Sequence, residues 1–164
     1  MTSPDPMDIT TLITAEQVVT LPAQAKPQLL DTLARRAAAA LHITETTILN
    51  AILQREALGS TGVGQGVAIP HARIAGLGHF FGLFTRLDQA VDFAAVDGQP
   101  VDLVFLLLMP AHAGKEHLAA LAAISRRLRD RDTQRRLRAA GAARMIYDAL
   151  TAAPRPSGPA GHHR

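Results

Sequence analysis

The feature that most restricts this chain is the run Val101-Asp102-Leu103-Val104-Phe105-Leu106-Leu107-Leu108-Met109, closed by Pro110. Successive side chains of a strand point to opposite faces of a sheet, so a run apolar at nearly every position must be covered on both faces. Its most apolar part, Val104 to Met109, is far too short to span a bilayer, which takes about 20 residues of helix. The rest of the chain therefore has to supply covering layers for a buried central strand.

Those layers are visible as helical periodicity. Leu29, Leu33, Ala37 and Leu41 recur every four residues and predict a helix from about Pro27 to His42. Thr44 or Thr46 can cap a second helix, with Ile48, Ala51, Ile52 and Arg55 on one face and a stop near Gly59. Leu118, Leu121, Ala122, Ser125 and Leu128 mark a third, and two short helices follow around Thr133–Ala139 and Ala142–Thr151. Further strands are expected over Val67–Ile69, where Pro70 pushes Ile69 into the β region, over Phe80–Leu87, and over Val91–Phe93. No internal repeat is present. The pattern is α/β, with helices covering a central sheet.

Composition narrows the chemistry. At 164 residues the chain is one ordinary domain, and 48% apolar with 19% charged residues is globular. The absence of cysteine excludes disulfides, thiolate metal sites and cysteine nucleophiles. The absence of tryptophan, with only 4% aromatics, argues against stacking platforms for single-stranded nucleic acid. The first residues carry neither the basic nor the apolar region of a signal peptide. Residues 1–6 read as a flexible extension, with Met7 a possible natural start, 7–152 as the domain, and the Pro/Gly-rich 153–164 as a disordered tail. Seven arginines between Arg126 and Arg138 are interleaved with Asp130 and Asp132. They are expected to form a solvated, partly self-paired helical face, in preference to a nucleic-acid or acidic-partner surface.

Histidine offers the next candidates. His42 falls at a helix C-terminus, His79 before a strand, and His162 and His163 in the tail, all readable as structural or solvated. The segment His112-Ala-Gly-Lys-Glu116-His117 is one residue longer than the H-x-x-E-H zinc pattern, and H-E-x-x-H is absent, so no metal is expected.

Ser60-Thr61-Gly62-Val63-Gly64-Gln65-Gly66 fails the tests for a P-loop, a dinucleotide fingerprint and a nucleophile elbow. It reads either as a tight turn or as a loop whose N–H groups cradle an anion, with the Ser60 and Thr61 hydroxyls as added donors. It runs into Ile69-Pro70-His71, and Arg55 lies just before it. Neutral imidazole is a good nucleophile near pH 7, and a guanidinium matches phosphate oxygens. One short stretch thus offers a nucleophile, an anion site and a cation, the minimum for a phosphohistidine site.

The segment Arg55-Glu56-Ala57-Leu58-Gly59-Ser60-Thr61-Gly62, followed by Gly66-Val67-Ala68-Ile69-Pro70-His71, resembles the signature of the fructose/mannitol-type enzyme IIA domains of the phosphoenolpyruvate-dependent phosphotransferase system. Val91-Asp92-Phe93 and Val96-Asp97-Gly98-Gln99-Pro100-Val101-Asp102-Leu103-Val104-Phe105-Leu106-Leu107 resemble its stand-alone, nitrogen-related branch, and Glu116-His117-Leu118 matches the segment of the second family histidine. The resemblance covers about 7–150. It implies a mixed central β-sheet flanked by helices on both faces, the enzyme IIA mannitol/nitrogen-type sandwich. It implies that His71 accepts a phosphoryl group on Nε2 from an HPr-like carrier loaded by enzyme I and phosphoenolpyruvate. His117 would orient or stabilise that group, and Arg55, Ser60, Thr61, Gly62 and Gly64 would line the phosphate site, without a cofactor. It further implies a cytoplasmic phosphocarrier that regulates proteins such as transporters or sensor kinases by its phosphorylation state, with neither nucleic acid nor membrane insertion involved. Two alternatives stay open: a IIA component feeding a separate sugar-specific IIB, and an interaction module that is seldom phosphorylated.

Three positions depart from the family pattern. Gln65 stands where many relatives carry Asn, Ala94-Ala95 replaces a more polar pair, and His112 is not a family residue. Leu77, Phe80 and Phe81 are candidates for an apolar partner surface around His71, or for core.

Overall fold

The computed structural model describes residues 7–152. The expectations for 1–6 and 153–164, including His162 and His163, lie outside the described residues. Six strands and five helices follow the order β1 (Val18–Leu21), α1 (Lys26–Leu41), α2 (Glu45–Ala57), β2 (Gly62–Gly64), β3 (Val67–Ala68), β4 (His71–Ile74), β5 (Phe81–Val91), β6 (Val101–Pro110), α3 (Glu116–Arg129), α4 (Arg131–Ala139) and α5 (Ala143–Thr151).

The strand expected over Val101–Met109 is the centre of the molecule. Leu103 to Leu108 are all at 0% exposure, and full burial of such side chains stabilises by roughly 1.5–3 kcal/mol apiece. Alternation sorts them into two cores. Val104, Leu106 and Leu108 face Leu29, Leu33, Ile48 and Ile52 of α1 and α2. Leu103, Phe105, Leu107 and Met109 face Ala120, Ile124 and Leu128 of α3, Leu137 of α4, and Ile146 and Leu150 of α5. Helices therefore cover both faces of a mixed sheet.

β6 pairs antiparallel with β5, which in turn pairs parallel with β1. On its other edge β6 carries two short parallel strands in succession, β3 opposite Leu103 and Val104, then β4 opposite Leu107 to Pro110. The chain crosses between them at Ile69-Pro70, where the Pro70 carbonyl accepts from Leu107 N at 2.9 Å. This break in one sheet edge presents His71.

Each expected helix forms, with ends within a few residues of those read from the sequence. α1 starts with Pro27 in its first turn, where a missing N–H costs nothing, and ends at His42 in the left-handed region. Among the described residues no helix is long and apolar enough to cross a membrane. The arginine cluster lies on α3 and α4 and is partly self-paired: Arg135 and Arg136 meet Asp132, and Arg138 meets Asp102.

Two expectations are corrected. Val91–Phe93 is not a separate strand: Val91 closes β5, and Phe93 is fully buried with the Lys26 ammonium 4.4 Å from its ring centroid. Leu77 and Phe81 are core residues against the α1–α2 face, and Phe80 is half-buried against the other core, so none of the three forms an apolar surface around His71. The short strands β1, β2 and β4 add to those read from the sequence.

Candidate functional site

β4 obeys strict alternation. Ala72 and Ile74 point into the core, leaving His71 and Arg73 on the outward side. The His71 ring turns back onto the chain that precedes Pro70, placing Nδ1 2.7 Å from the Ile69 carbonyl oxygen. A carbonyl only accepts, so Nδ1 carries the proton and Nε2 the lone pair. That lone pair accepts from Arg55 Nε at 3.2 Å, and Arg55 Nη1 donates to the Gly59 carbonyl at 2.8 Å. Arg55 sits in the last turn of α2, whose Ile48 and Ile52 are buried against the sheet, so helix packing fixes where its guanidinium emerges.

The electrostatics favour a neutral ring. Burial is the main cause that holds His71 below the ordinary imidazole value, and the nearby charges of Arg55 and His117 act in the same direction. The Ile69 carbonyl and the Glu56 carboxylate oppose them. At neutral pH the residue is therefore an unprotonated nitrogen base with its free lone pair toward the Arg55 guanidinium.

Beneath it lies a network that sequence reading missed. Glu56 takes the Thr61 amide at 3.2 Å, the Thr61 hydroxyl, and the Lys26 ammonium at 2.9 Å. Lys26 also donates to the Phe93 carbonyl at 3.0 Å, and the Ser60 hydroxyl donates to the same oxygen at 3.0 Å while accepting from Gly62 N. The Ser60–Thr61 hydroxyls thus lock the segment between α2 and β2. The available signal was a carboxylate next to Arg55, five residues before Thr61.

The anion-cradle reading of the glycine loop is revised accordingly. Gly62–Gly64 and Val67–Ala68 form an antiparallel hairpin with Gly64, Gln65 and Gly66 all at positive φ. Its amides are already engaged: Thr61 N by Glu56, Gly62 N by Ser60, and Gln65 N by Asp97 at 2.9 Å. Asp97 also takes Gln99 N at 3.0 Å, and these two amides hold its carboxyl below the usual range. Gly64 pairs with Val67, which faces Leu103, four residues along β6 from the Leu107 that faces His71. At about 3.3 Å per residue that separation is roughly 13 Å. Gly62 shapes the site by closeness, since a Cβ there would lie 2.8 Å from Ala95 Cα. Gln65 at φ 61 explains why Asn suits this position, because its shorter polar side chain tolerates the left-handed region better.

His117 is the second residue of α3, half-buried, with Nδ1 2.5 Å from the Gly114 carbonyl oxygen. By the same reasoning its proton is on Nδ1 and its Nε2 is directed away from the turn. It acts electrostatically on His71, so the fold brings the two histidines into one neighbourhood although 46 positions separate them in the sequence. His112 is exposed and, with His79, Phe80 and Glu116, lines a separate cleft of about 900 Å³. No group of three or more His, Asp or Glu side chains that could hold a metal ion occurs among the described residues.

Three large apolar side chains are exposed on segments that also carry residues named above. Leu58 at 84%, Leu118 at 63% and Val96 at 76% are exposed. Leu58 caps the helix that carries Arg55, Leu118 follows His117, and Val96 N donates to Gly62 O. Exposed large apolar side chains on such segments suit a protein partner.

The chain is similar to several known proteins. The family profile described as "Phosphoenolpyruvate-dependent sugar phosphotransferase system, EIIA 2" matches residues 11–153. A nitrogen regulatory protein of Bradyrhizobium diazoefficiens is 49% identical over 149 residues, covering 90% of this chain and 97% of that protein. The crystal structure of the nitrogen regulatory protein IIA-Ntr from Neisseria meningitidis superposes with a TM-score of 0.82 at 32% identity, covering 87% of this chain and 99% of that one. IIA mannitol from Escherichia coli superposes with a TM-score of 0.70 over 84% of this chain and 97% of its own, at 19% identity, a likeness of fold alone.

Proposed function

Since this chain belongs to the EIIA 2 family of the phosphoenolpyruvate-dependent phosphotransferase system, we propose that it is a phosphohistidine carrier whose acceptor atom is His71 Nε2. The observation that carries this reading is the pair of contacts on the ring: Nδ1 occupied by the Ile69 carbonyl, Nε2 left to Arg55. The donor is the phosphohistidine of an HPr-like carrier, itself loaded from phosphoenolpyruvate through enzyme I. As the Nε2–phosphorus bond forms, the bond from phosphorus to the donor nitrogen breaks and its electron pair returns to the donor imidazole. The His71 ring becomes formally cationic in the process. The Ile69 carbonyl, which favours the charged ring, stabilises that charge as it develops.

Phosphoryl transfer needs positioning and charge neutralisation more than covalent help. Arg55 supplies the permanent charge, and its donors near Nε2 are placed to pass to the phosphoryl oxygens. His117 orients or stabilises the same group. Ser60, Thr61, Gly62 and Gly64 serve the phosphate site by fixing the hairpin and the end of α2, since the hydroxyls of Ser60 and Thr61 and the amides of Thr61 and Gly62 are committed to Glu56, Phe93 and Ser60.

A phosphoryl group brings about −1.5 to −2 charges at neutral pH. On a surface that also exposes Leu58 and Leu118, that charge changes which proteins the surface accepts. The protein therefore acts in the cytoplasm as a regulatory carrier whose phosphorylation state selects its targets, in keeping with the nitrogen regulatory relatives. The same surface would also suit onward transfer to a separate IIB protein, and a complex of enzyme IIA mannitol with phosphorylated IIB mannitol exists for a structural neighbour. Intact mass after incubation with phosphoenolpyruvate, enzyme I and an HPr-like carrier tests the carrier reading. Wild type should gain one acid-labile phosphoryl group and His71→Ala none. An unmodified wild-type chain with competent carriers would leave only an interaction module.

A further inference from the structure

Arg73 has no role in the chemistry described so far, yet its guanidinium reaches the turn that presents His117. It stands two residues after His71 on the same outward side of β4. Its Nη1 donates to the Ala111 carbonyl at 3.2 Å and to the Ala113 carbonyl at 2.7 Å, and its Nη2 lies 3.2 Å from His117 Nδ1. Those two carbonyls belong to the turn between β6 and α3, which also contains the Gly114 carbonyl that accepts from His117. His117 Nδ1 cannot donate to Gly114 and accept from Arg73 at once. The 2.5 Å approach to the carbonyl requires the proton on Nδ1, so Arg73 acts on the imidazole through the turn and by contact, not by donating to it.

We propose that Arg73 is the positioning residue of the site, a brace that fixes the turn 111–114, and hence the His117 ring, relative to His71 on the same strand. The inference rests on the phosphocarrier reading above and gives one residue the task of setting the distance between the two histidines. Elementary geometry supports it. His71 and Arg73 share one face of a strand paired with β6, Arg73 opposite Met109, so both reference points are rigid. The turn itself is otherwise held by short-range bonds, such as Ala113 N to Pro110 O and Gly114 N to the Glu116 carboxylate, which set its shape but not its place against β4. A planar guanidinium reaching two carbonyls at once can set that place.

A double-mutant cycle on transfer from a phosphorylated HPr-like carrier, followed by rapid quench, tests the proposal in the full chain. Arg73→Ala should slow transfer about tenfold or more without raising the apparent KM for the carrier, as expected when a catalytic group is misplaced. Arg73→Ala combined with His117→Ala should be no slower than the slower single variant, because the brace acts only through His117. The His117 ring should keep its Nδ1–H in Arg73→Ala through the local Gly114 bond, but its ring ¹⁵N signals should shift and broaden as the turn loses its fixed place, while the His71 ring signals keep theirs. Wild-type transfer rates in Arg73→Ala, losses that multiply in the double variant, or an unchanged His117 spectrum would each overturn the proposal. Arg73→Gln, which keeps the stem and a single amide donor pair, repeats the cycle if the alanine variant fails to fold. Should wild type accept no phosphate, the carrier reading fails instead, and the ¹⁵N comparison still decides whether Arg73 positions His117.

Discussion

Removing the Lys26 ammonium with Lys26→Met should be far more damaging than loss of an ordinary surface charge. Lys26 and Glu56 meet at 2.9 Å with side-chain exposures of 22% and 7%, so the carboxylate is nearly dry. Exposed pairs are worth about 0–1 kcal/mol, whereas breaking a buried pair on one side costs about 3–5 kcal/mol. Glu56 would keep its two bonds from Thr61, and Lys26 is partly solvated, which places this case near the low end. Loss of the contact with the Phe93 ring accounts for about 1 kcal/mol of this, so the total stays at about 3 kcal/mol. With a urea slope of roughly 2 kcal/mol/M, the unfolding midpoint should drop by about 1.5 M. Lys26→Met with Glu56→Gln should recover most of the loss, since an uncharged amide tolerates the site. The functional echo is directional: an unbalanced Glu56 raises the His71 titration, because its charge already acts in that sense. A midpoint drop below about 0.3 M, or a double variant no better than the single, would refute the reasoning.

Other perturbations probe different parts of the site. His71 is held below the ordinary 6.5, so the unfolded chain takes up this proton at higher pH than the native one. Its contribution to stability is full above about pH 6.5 and is lost as pH falls from there toward the folded value. His71→Gln should flatten that part of a stability–pH curve, and identical curves would contradict the burial argument. Gly62→Ala forces a Cβ to within 2.8 Å of Ala95 Cα and should cost about 1–3 kcal/mol in chemical denaturation; a neutral result would mean that the hairpin can move freely. Gln65→Asn, relieving a left-handed residue at φ 61, should raise stability by about 0.5 kcal/mol, and a destabilised variant would show that the bond Gln134 Nε2 donates to Gln65 Oε1 at 3.4 Å outweighs the backbone effect.

Much of this molecule is legible in its sequence because its strongest elements obey one period each. The continuous apolar run of β6 demanded two covering layers, and the four-residue spacing of Leu29, Leu33, Ala37 and Leu41 delivered one of them. What escaped is short or satisfied from afar. β1 and β4 are four residues each, and in β4 His71 and Arg73 break any apolar signature, so only pairing with β6 makes it a strand. Val91-Asp92-Phe93 has strand composition, yet the chain bends there because Phe93 packs beneath Lys26. His71 and Arg55 could be placed together from their flanking residues. The roles of Glu56, Lys26, Asp97 and Arg73 could not, since each depends on a contact across many residues: Lys26 with Phe93, Asp97 with Gln65, Arg73 with Ala113. The loop glycines illustrate the converse. Their spacing suggested free amides, and the fold gives amides of this loop to the Glu56 and Asp97 carboxylates and to the Ser60 hydroxyl.

The bond that matters most is the one from phosphorus to nitrogen. NMR correlation of the His71 ring nitrogens in uniformly ¹⁵N-labelled protein, recorded before and after loading by a phosphorylated HPr-like carrier, identifies the atom that receives the group. With Nδ1 committed to the Ile69 carbonyl, the phosphoryl coupling should fall on Nε2 of His71 while Nδ1 keeps its proton. Phosphorylation at Nδ1, or at His117, would contradict the site geometry on which the carrier reading stands.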